Sequence, residues 1–300
     1  MISLLTKFRP SLPPVAVLVE YPSILALRVA KPGRDLQALV RHEEAMTDVV
    51  DALGSSGGHK MADALLTRLG RPKRICLVLG DSFFRMQIMT LTDFPRREEE
   101  RSQIILWHLR KTLNVPVESL RLRYEILQKT AGSATLWLTL CQEDALAAVE
   151  KSFSEAGCEV GYVGASSAEL HNFALASGLL PEEGPALLLN RTPSYLSFLF
   201  TEGGQPVFFR CKETAPDELG EGRIEQELRL TLAYHREKLG FGKLRKILLR
   251  HHPDSLRLPL EGVVEEDVPV ETLGASSTGA AGAQPWGGAW LPLVALMEGD

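Results

Sequence analysis

Cysteines are few in this 300-residue chain, and they are widely spaced. No two of them form a C-x-x-C pair, which excludes the common zinc-binding and thioredoxin-like motifs. We therefore expect reduced, buried thiols, as in a cytosolic protein. The four residues are Cys76, Cys141, Cys158 and Cys211.

Long apolar runs are also missing. The longest are short, strand-like stretches, well below the ~20 residues that a membrane-spanning helix needs, so no transmembrane segment is predicted. Residues 1–14 have no basic segment ahead of an apolar one, which argues against a signal peptide. The apolar residues there allow a weak interfacial anchor or a frayed terminus, and the frayed terminus is the simpler interpretation. They are Ile2, Leu4, Leu5 and Phe8.

Positive charge is not in excess, and the common catalytic motifs do not occur. The net charge of −5 at pH 7 argues against nucleic-acid binding. The sequence contains no G-x-S-x-G, Walker A or H-E-x-x-H motif. No catalytic residue, cofactor or metal ligand is therefore predicted.

Histidines and serines elsewhere have simple structural interpretations. His251 and His252 are adjacent, and adjacent side chains of a strand point to opposite faces, so we interpret them as part of a polar loop rather than as metal ligands. Ser166 or Ser167 is expected to cap a helix, with His171 on its surface.

The most informative segment lies between residues 75 and 127. Ile75–Leu79 is a continuous apolar run, typical of a strand buried on both faces, and Phe84–Leu91 predicts a second strand. Glu98–Glu100 place three carboxylates in the first turn of a predicted helix, where they suit the positive end of its dipole. The helix is expected to end near Pro116, because helical backbone is disfavoured before a proline.

The rest of the chain predicts two α/β halves with a similar order of elements. A hairpin of Val15–Glu20 and Ile24–Ala30, with its turn at Pro22, opens the first half. The other predicted strands are Leu36–Val40, Ala134–Cys141, Cys158–Val163, Ala186–Leu189, Leu196–Phe200, Pro206–Arg210 and Ile247–Leu249. The other predicted helices are Lys60–Leu69, Glu143–Ala156, Ser166–Ala176 and Gly222–Lys238, and Trp290–Met297 is a helix or a strand.

The segment from 75 to 127 resembles the extra subdomain of PilM, the actin-like protein of type IV pilus assembly. The stretches ALLLN and YLSFLFTEGGQPVFFR also follow that family's order. FtsA-type cell-division proteins and the cytoplasmic region of GspL are related to it. The resemblance implies a duplicated α/β fold of the actin-like (RNase H-like) type with an inserted SHS2-like β-α-β subdomain. The implied units are residues 12–80 and 159–182 (first half), 81–158 (insert) and 186–300 (second half).

The same resemblance implies two phosphate-binding loops, and both depart from the family's pattern. In the first loop, Leu18 stands where an aspartate is expected and Glu20 where a glycine is expected. In the second, Asn190 replaces the aspartate and Thr192 the glycine. Pro193 then removes a backbone donor where phosphate needs one. We therefore expect a pseudo-ATPase, with Arg191 as the best remaining means of offsetting phosphate charge.

A basic cluster follows the long predicted helix of the second half. The family's Gly-Gly turn on the adenine side is replaced here by residues 250–253, which are Arg, His, His and Pro. The cluster could face anionic lipid or an acidic partner, or it could simply complement the negative end of the helix dipole, and the dipole is the simpler account. Its members are Lys243, Arg245, Lys246, Arg250, His251 and His252.

The resemblance to PilM implies a cytoplasmic scaffold, peripheral at the inner membrane, in a type IV pilus or related secretion platform. Its implied partner is the cytoplasmic N-terminal tail of a PilN-like bitopic membrane protein, held in a groove between the core and the insert. Other platform proteins and self-association are further expectations, and no nucleic acid is expected. On geometric grounds we place four residues near the groove: Arg85, Trp107, Arg123 and Tyr124.

Two alternatives use the same fold. One is an actin-like ATPase or nucleotide-binding regulator of the same machinery, which would have to bind nucleotide through the altered loops. The other is an FtsA-like membrane adapter. That function needs an amphipathic C-terminal helix, whereas this sequence ends LPLVALMEGD without a basic residue.

Overall fold

The computed structural model describes residues 12–21, 23–29, 36–42, 53–55, 57–113, 116–213, 221–238, 240, 242–253, 255, 258–274 and 288–298. Elements are numbered along the chain within these residues. The strands are β1 (Val15–Glu20), β2 (Ser23–Val29), β3 (Leu36–His42), β4 (Arg74–Leu79), β5 (Arg85–Thr92), β6 (Leu120–Lys129), β7 (Ser133–Gln142), β8 (Glu159–Ala165), β9 (Pro185–Arg191), β10 (Tyr195–Glu202), β11 (Gln205–Glu213), β12 (Lys246–His251) and β13 (Val270–Thr272). The helices are α1 (Gly58–Arg68), α2 (Glu98–Thr112), α3 (Glu143–Glu155), α4 (Ser166–Ala176), α5 (Glu221–Glu237) and α6 (Leu291–Glu298).

Two five-stranded sheets repeat one plan. The first has the order β3-β2-β1-β4-β8 and the second the order β11-β10-β9-β12-β13. In each sheet the first three strands in sequence are antiparallel neighbours. The other two strands follow on the far side of the central strand, β1 or β9, and run parallel to it and to each other. The central strands β1 and β9 are buried along their whole length, as apolar strands covered on both faces must be. The duplicated α/β architecture predicted from the sequence is confirmed.

A third sheet is inserted between β4 and β8. It has the order β5-β7-β6 and carries α2 on one face, where Ile105 and Leu109 pack with Leu136 and Leu138. This is the predicted strand–helix–strand insert. On the other side of the sheet, Trp137 joins the largest apolar cluster of the molecule, which contains residues of both halves as well.

Two helices pack outside the unit to which their sequence position assigns them. Helix α3 lies in the predicted insert, 81–158, but it contacts α1 and β8 of the first half. Helix α6 follows the second half in sequence, yet it packs against α4 and β1 of the first half. The apolar faces of these helices find their cover there, which sequence order alone does not indicate.

Most predicted elements lie within a few residues of the observed ones. Strands β1 and β2 pair antiparallel as expected, with Glu20 opposite Ser23, while the predicted turn residue Pro22 lies outside the described residues. The last element is a helix rather than a strand. Residues 1–11, with the predicted interfacial or frayed terminus, lie outside the described residues. Among the described residues no helix is both long and apolar enough to cross a membrane.

Candidate functional site

The two predicted phosphate-loop strands end in the interior of the molecule. Glu20 is the last residue of β1, and Asn190 is the penultimate residue of β9; both are buried. Leu18 packs in the apolar cluster beneath α6 and takes no part in a polar site. Thr192 closes the β9–β10 turn, where its Oγ1 accepts from the backbone N–H of Tyr195 at 3.0 Å.

An ion pair joins the two halves at this point. Arg250 Nη2 lies 2.7 Å from Glu20 Oε2, and the two side chains are 0% and 2% exposed. The remaining guanidinium donors are also used: Nε donates to the carbonyl of Gly288 at 2.6 Å and Nη1 to Asn190 Oδ1 at 2.9 Å. With the carbonyl of Ala289, which accepts from Nη2 at 3.2 Å, every guanidinium nitrogen of Arg250 has an acceptor, as a buried arginine requires.

Asp81 extends the network on the side of the first half. It follows β4 in a short 3₁₀ turn and is fully buried. Its Oδ1 accepts from the backbone N–H of Ser167 at 2.8 Å, and its Oδ2 accepts from the Ser167 hydroxyl and from Asn190 Nδ2, the latter at 3.0 Å. Asn190 thus bridges Asp81 and Arg250, which connects three separate segments of the chain.

Tyr195 fills the remaining space between the two loops. Its side chain is fully buried, and its hydroxyl donates to Glu20 Oε1. The Tyr195 ring packs closely against Gly80. A side chain at residue 80 would be crowded, because its Cβ would lie only 3.1 Å from Tyr195 Cε1. We call Glu20, Asp81, Asn190, Tyr195 and Arg250, together with Ser167, the cleft network.

The pKa values of the two acids of the cleft network, Glu20 and Asp81, are shifted in opposite directions. Burial would raise the pKa of Glu20, but the charge and hydrogen bond of Arg250 outweigh it and leave the pKa below its ordinary value. Burial raises the pKa of Asp81, and the hydrogen bonds from Ser167 oppose this only in part. Burial, with the nearby Glu20 and Asp81, raises the pKa of Tyr195 well above its ordinary value. Glu20 is therefore the anion that balances Arg250.

Several sequence-based interpretations are wrong in this region. Arg250 belongs to no basic surface cluster, because it is fully buried in β12, and His252 is buried as well. Of the two histidines interpreted as part of a polar loop, His251 is instead the last residue of that strand, and His252 follows it. The two lysines of the predicted basic cluster are each neutralised by different acids. Lys243 pairs with Glu265 and Asp267, and Lys246 pairs with Glu271. These pairings are set by the folded loops and cannot be read from the spacing of basic residues.

The interpretation of the segment 166–171 is also corrected. Helix α4 begins after Ala165 without a side-chain cap from its own serines. Asp81, which is distant in sequence, accepts from its first turn instead. His171 is not on the surface: it is buried, it lies 2.9 Å from the carbonyl of Gly204, and it stacks edge-to-face on Trp137.

The four residues predicted near a partner groove lie on different parts of the insert. Trp107 is half-exposed on α2 with Lys111 Nζ 3.4 Å from its ring centroid. Arg85 begins β5 at one edge of the sheet, while Arg123 and Tyr124 lie in β6 at the other edge. Tyr124 packs with the core beneath α2 and donates to Glu98, whereas Arg123 is exposed on the opposite face. The groove stays a prediction.

Sequence reasoning missed Asp81 and Tyr195 and misplaced Arg250. The only local signal for Asp81 was its position directly after a buried strand, where polar residues of parallel sheets often gather. Arg191, named as a residual phosphate ligand, is buried, and its Nη1 donates to the carbonyl of Tyr195 at 3.3 Å. Within the described residues no group of three His, Cys, Asp or Glu side chains is arranged to hold a metal ion.

Comparisons with known proteins identify the fold. No protein-family model matches the sequence, and no curated protein sequence matches it significantly. Among solved structures, a chain of the PilM–PilN type IV pilus biogenesis complex superposes with a TM-score of 0.72 at 13% identity, covering 96% of this chain and 98% of that chain.

Two other solved structures support the same fold. A Bacteroides thetaiotaomicron VPI-5482 protein with an actin-like ATPase fold and unknown function has a TM-score of 0.56 at 12% identity, with 94% of each chain covered. The cytoplasmic domain of EpsL, an inner membrane component of the type II secretion system of Vibrio cholerae, has a TM-score of 0.54 at 13% identity, with 94% and 93% covered. The chain therefore has the actin-like fold.

Proposed function

We propose that this protein is a non-catalytic scaffold of a type IV pilus or related secretion platform, working at the cytoplasmic face of the inner membrane. The observation that carries the proposal is the buried Glu20–Arg250 ion pair, which occupies the place between the two loops where the resemblance puts phosphate. The likeness to a PilM–PilN chain and to EpsL over nearly the full length suggests the machinery.

The chemistry of the cleft network supports a protein without ATPase activity. Hydrolysis needs acids free to hold a metal or a water, and backbone N–H groups free to bind phosphate. Glu20 is engaged by Arg250 and Tyr195, and the N–H at the start of α4 is engaged by Asp81. A nucleotide would have to break these buried contacts before it could bind.

Titration calorimetry with Mg-ATP tests this part of the proposal. We expect no binding heat at protein concentrations that detect micromolar affinity, and no phosphate release in a coupled assay. An actin-like ATPase measured in the same buffer serves as the positive control. Micromolar affinity for Mg-ATP would contradict the proposal.

The proposed partner is a PilN-like bitopic membrane protein, which would also hold this chain at the membrane. The insert offers a half-exposed tryptophan, Trp107, beside Lys111, a combination suited to an apolar anchor next to an acidic or carbonyl group. The predicted contact residues remain Arg85, Trp107, Arg123 and Tyr124.

A pull-down tests the partner assignment. The bait is a synthetic peptide with the N-terminal tail of a PilN-like single-span membrane protein from the same genome. We expect capture of the wild-type protein and loss of capture when all four predicted residues are changed to alanine. Leu230→Ala with Tyr234→Ala, which removes two exposed apolar side chains of α5, is the matched control and should bind normally. Retained binding by the fourfold variant refutes the site, and no capture of the wild type refutes the partner.

A further inference from the structure

Strand β6 is an edge strand of the inserted sheet. Within the part of the chain that the structure describes, it hydrogen-bonds to β7 only, and no strand pairs with its outer side. The opposite edge of the same sheet, β5, is different because it runs close to β11 of the second half. The inserted sheet therefore has one covered edge and one open edge.

The open edge lacks two of the features by which proteins prevent edge pairing, namely short length and proline. Charged side chains and bulges also oppose pairing, and β6 has both, but its charges include one of each sign on neighbouring outward positions, Arg123 and Glu125. Strand β6 is 10 residues long and has the sequence LRLRYEILQK, without proline and with its one lysine at the end. Its register shift lies between Ile126 and Gln128, which leaves Leu120–Ile126 regular. A strand of this kind can pair with another strand along its backbone.

The side chains of β6 are self-complementary about Tyr124. If two copies pair antiparallel with Tyr124 opposite Tyr124, Arg123 of each copy faces Glu125 of the other. Leu122 then faces Ile126 on the opposite side of the sheet. Cross-strand pairs of opposite charge and of apolar residues both stabilise antiparallel pairing. The two ion pairs fall on one face and the two apolar pairs on the other, as strand alternation requires.

The two charged residues are available to a partner strand as far as the described residues show. Arg123 and Glu125 are exposed, and neither forms an ion pair with another described residue. The adjacent Arg121 is different, since it pairs with Glu143 and Glu150 of α3 at 2.6 Å each. Leu122 and Ile126 are partly buried against the core beneath α2, so pairing with a second copy would extend that core.

We propose that β6 is a self-association edge through which two copies of this chain form a symmetric dimer with one continuous six-stranded sheet. The twofold axis passes through Tyr124. Arg123 and Glu125 determine the register, because shifting the strands by two residues places Arg opposite Arg or Glu opposite Glu. This inference concerns contact between copies and goes beyond the scaffold function proposed above.

Charge variants of the full chain test the proposal by sedimentation velocity. Arg123→Glu gives an edge with two glutamates, and Glu125→Arg gives an edge with two arginines. We expect each variant alone to dimerise roughly tenfold more weakly than the wild type, because like charges then face each other. An equimolar mixture should recover dimer, since each edge then meets its opposite. Arg229→Glu, which disrupts an exposed pair on α5, is the matched control.

Cysteine crosslinking tests the register. Tyr124→Cys lies on the proposed axis and should form an intermolecular disulfide on mild oxidation, because directly opposed residues have suitable Cα separations. Gln128→Cys lies four residues from the axis and should not. A wild-type chain that stays monomeric at high concentration overturns the proposal. The proposal is also overturned if neither Arg123→Glu nor Glu125→Arg weakens the dimer. It is overturned as well if the equimolar mixture of these two variants stays monomeric. Glu125→Arg changes none of the four predicted partner residues, which separates this test from the pull-down.

Discussion

At the scale of single residues, Arg250 and Glu20 illustrate how a buried ion pair constrains a fold. Both side chains are removed from water, and each is the main counter-charge of the other. Removing one partner leaves a buried charge without compensation, whereas removing both leaves a neutral site. The pair should therefore show strong coupling in stability measurements.

We expect Arg250→Met to lower the free energy of unfolding by about 3–5 kcal/mol, because Glu20 is left buried and unpaired. The double variant Glu20→Gln with Arg250→Met should lose clearly less than the sum of the two single losses. Urea unfolding of all four proteins gives this double-mutant cycle. Arg229→Met, in the exposed pair with Glu225, is the control and should cost less than about 1 kcal/mol. Additive losses at Glu20 and Arg250 would show that the pair is not coupled.

The pH dependence of stability should report the low pKa of Glu20. Because its pKa is lowered in the folded state, its contribution is present at neutral pH and is lost as the pH falls below about 4.3, the ordinary glutamate value. Asp81 acts in the opposite direction. Its raised pKa means that its contribution is greatest at low pH and declines as the pH rises above the ordinary aspartate value.

The difference in unfolding free energy between wild type and Glu20→Gln reports mainly the glutamate, since Asp81 is present in both and the charge of Glu20 is a minor cause of its raised pKa. We expect this difference to be constant from pH 7 to about pH 5 and to shrink below it. Urea unfolding at several pH values measures it. A difference that grows on acidification would contradict the lowered pKa.

At the scale of elements, helix α4 depends on a residue outside its own sequence. Asp81 accepts from the backbone N–H and hydroxyl of Ser167 in the first turn of α4. It thereby serves as an N-terminal cap supplied from the end of β4. The negative carboxylate also suits the positive end of the helix dipole.

Asp81→Ala should lower stability by about 1–3 kcal/mol, because it removes a helix cap and leaves the buried backbone N–H and hydroxyl of Ser167 without their acceptor. Asp144→Ala is the matched control, since Asp144 also lies in a first helical turn, that of α3, but is exposed. It should cost no more than about 0.5 kcal/mol. Equal losses in urea unfolding would show that Asp81 contributes only through the helix dipole.

At the scale of the whole molecule, three connections join the two halves and the insert. They are the Glu20–Arg250 pair, the packing of α6 on the first half, and the approach of β5 to β11. The largest apolar cluster is shared by all three units. We therefore expect one cooperative unfolding unit rather than independent domains.

The three buried thiols test this cooperativity. Cys76 lies in β4 of the first half, Cys158 lies directly before β8, and Cys141 lies in β7 of the insert, whereas Cys211 in β11 is only partly buried. Burial raises the pKa of Cys141 and of Cys158 to about 11, which adds to their protection. In low urea, alkylation followed by mass spectrometry should show the three buried thiols reacting at one common rate. Faster labelling confined to Cys141 would mean that the insert opens separately.

The elements were largely predictable because their signals are local. Apolar runs such as Ile75–Leu79, and the acidic first turn of α2, depend only on neighbours in sequence. The two departures in the phosphate loops were likewise visible, since Glu20 and Asn190 are read directly from the sequence. The place of α6 was not predictable, because an apolar helix can cover either sheet equally well.

The sequence was sufficient for the duplicated plan, the altered loop residues and the order of strands and helices apart from the short β13, which was not predicted, since periodicity and resemblance act along the chain. It was not sufficient for the partners of buried charges. Arg250 looked like part of a basic surface because its acceptors, Glu20 and Asn190, are 230 and 60 residues away. Only the folded chain brings Arg250 within hydrogen-bond distance of Glu20 and Asn190. Because burying an unpaired charge is costly, the buried guanidinium is stable only with these partners.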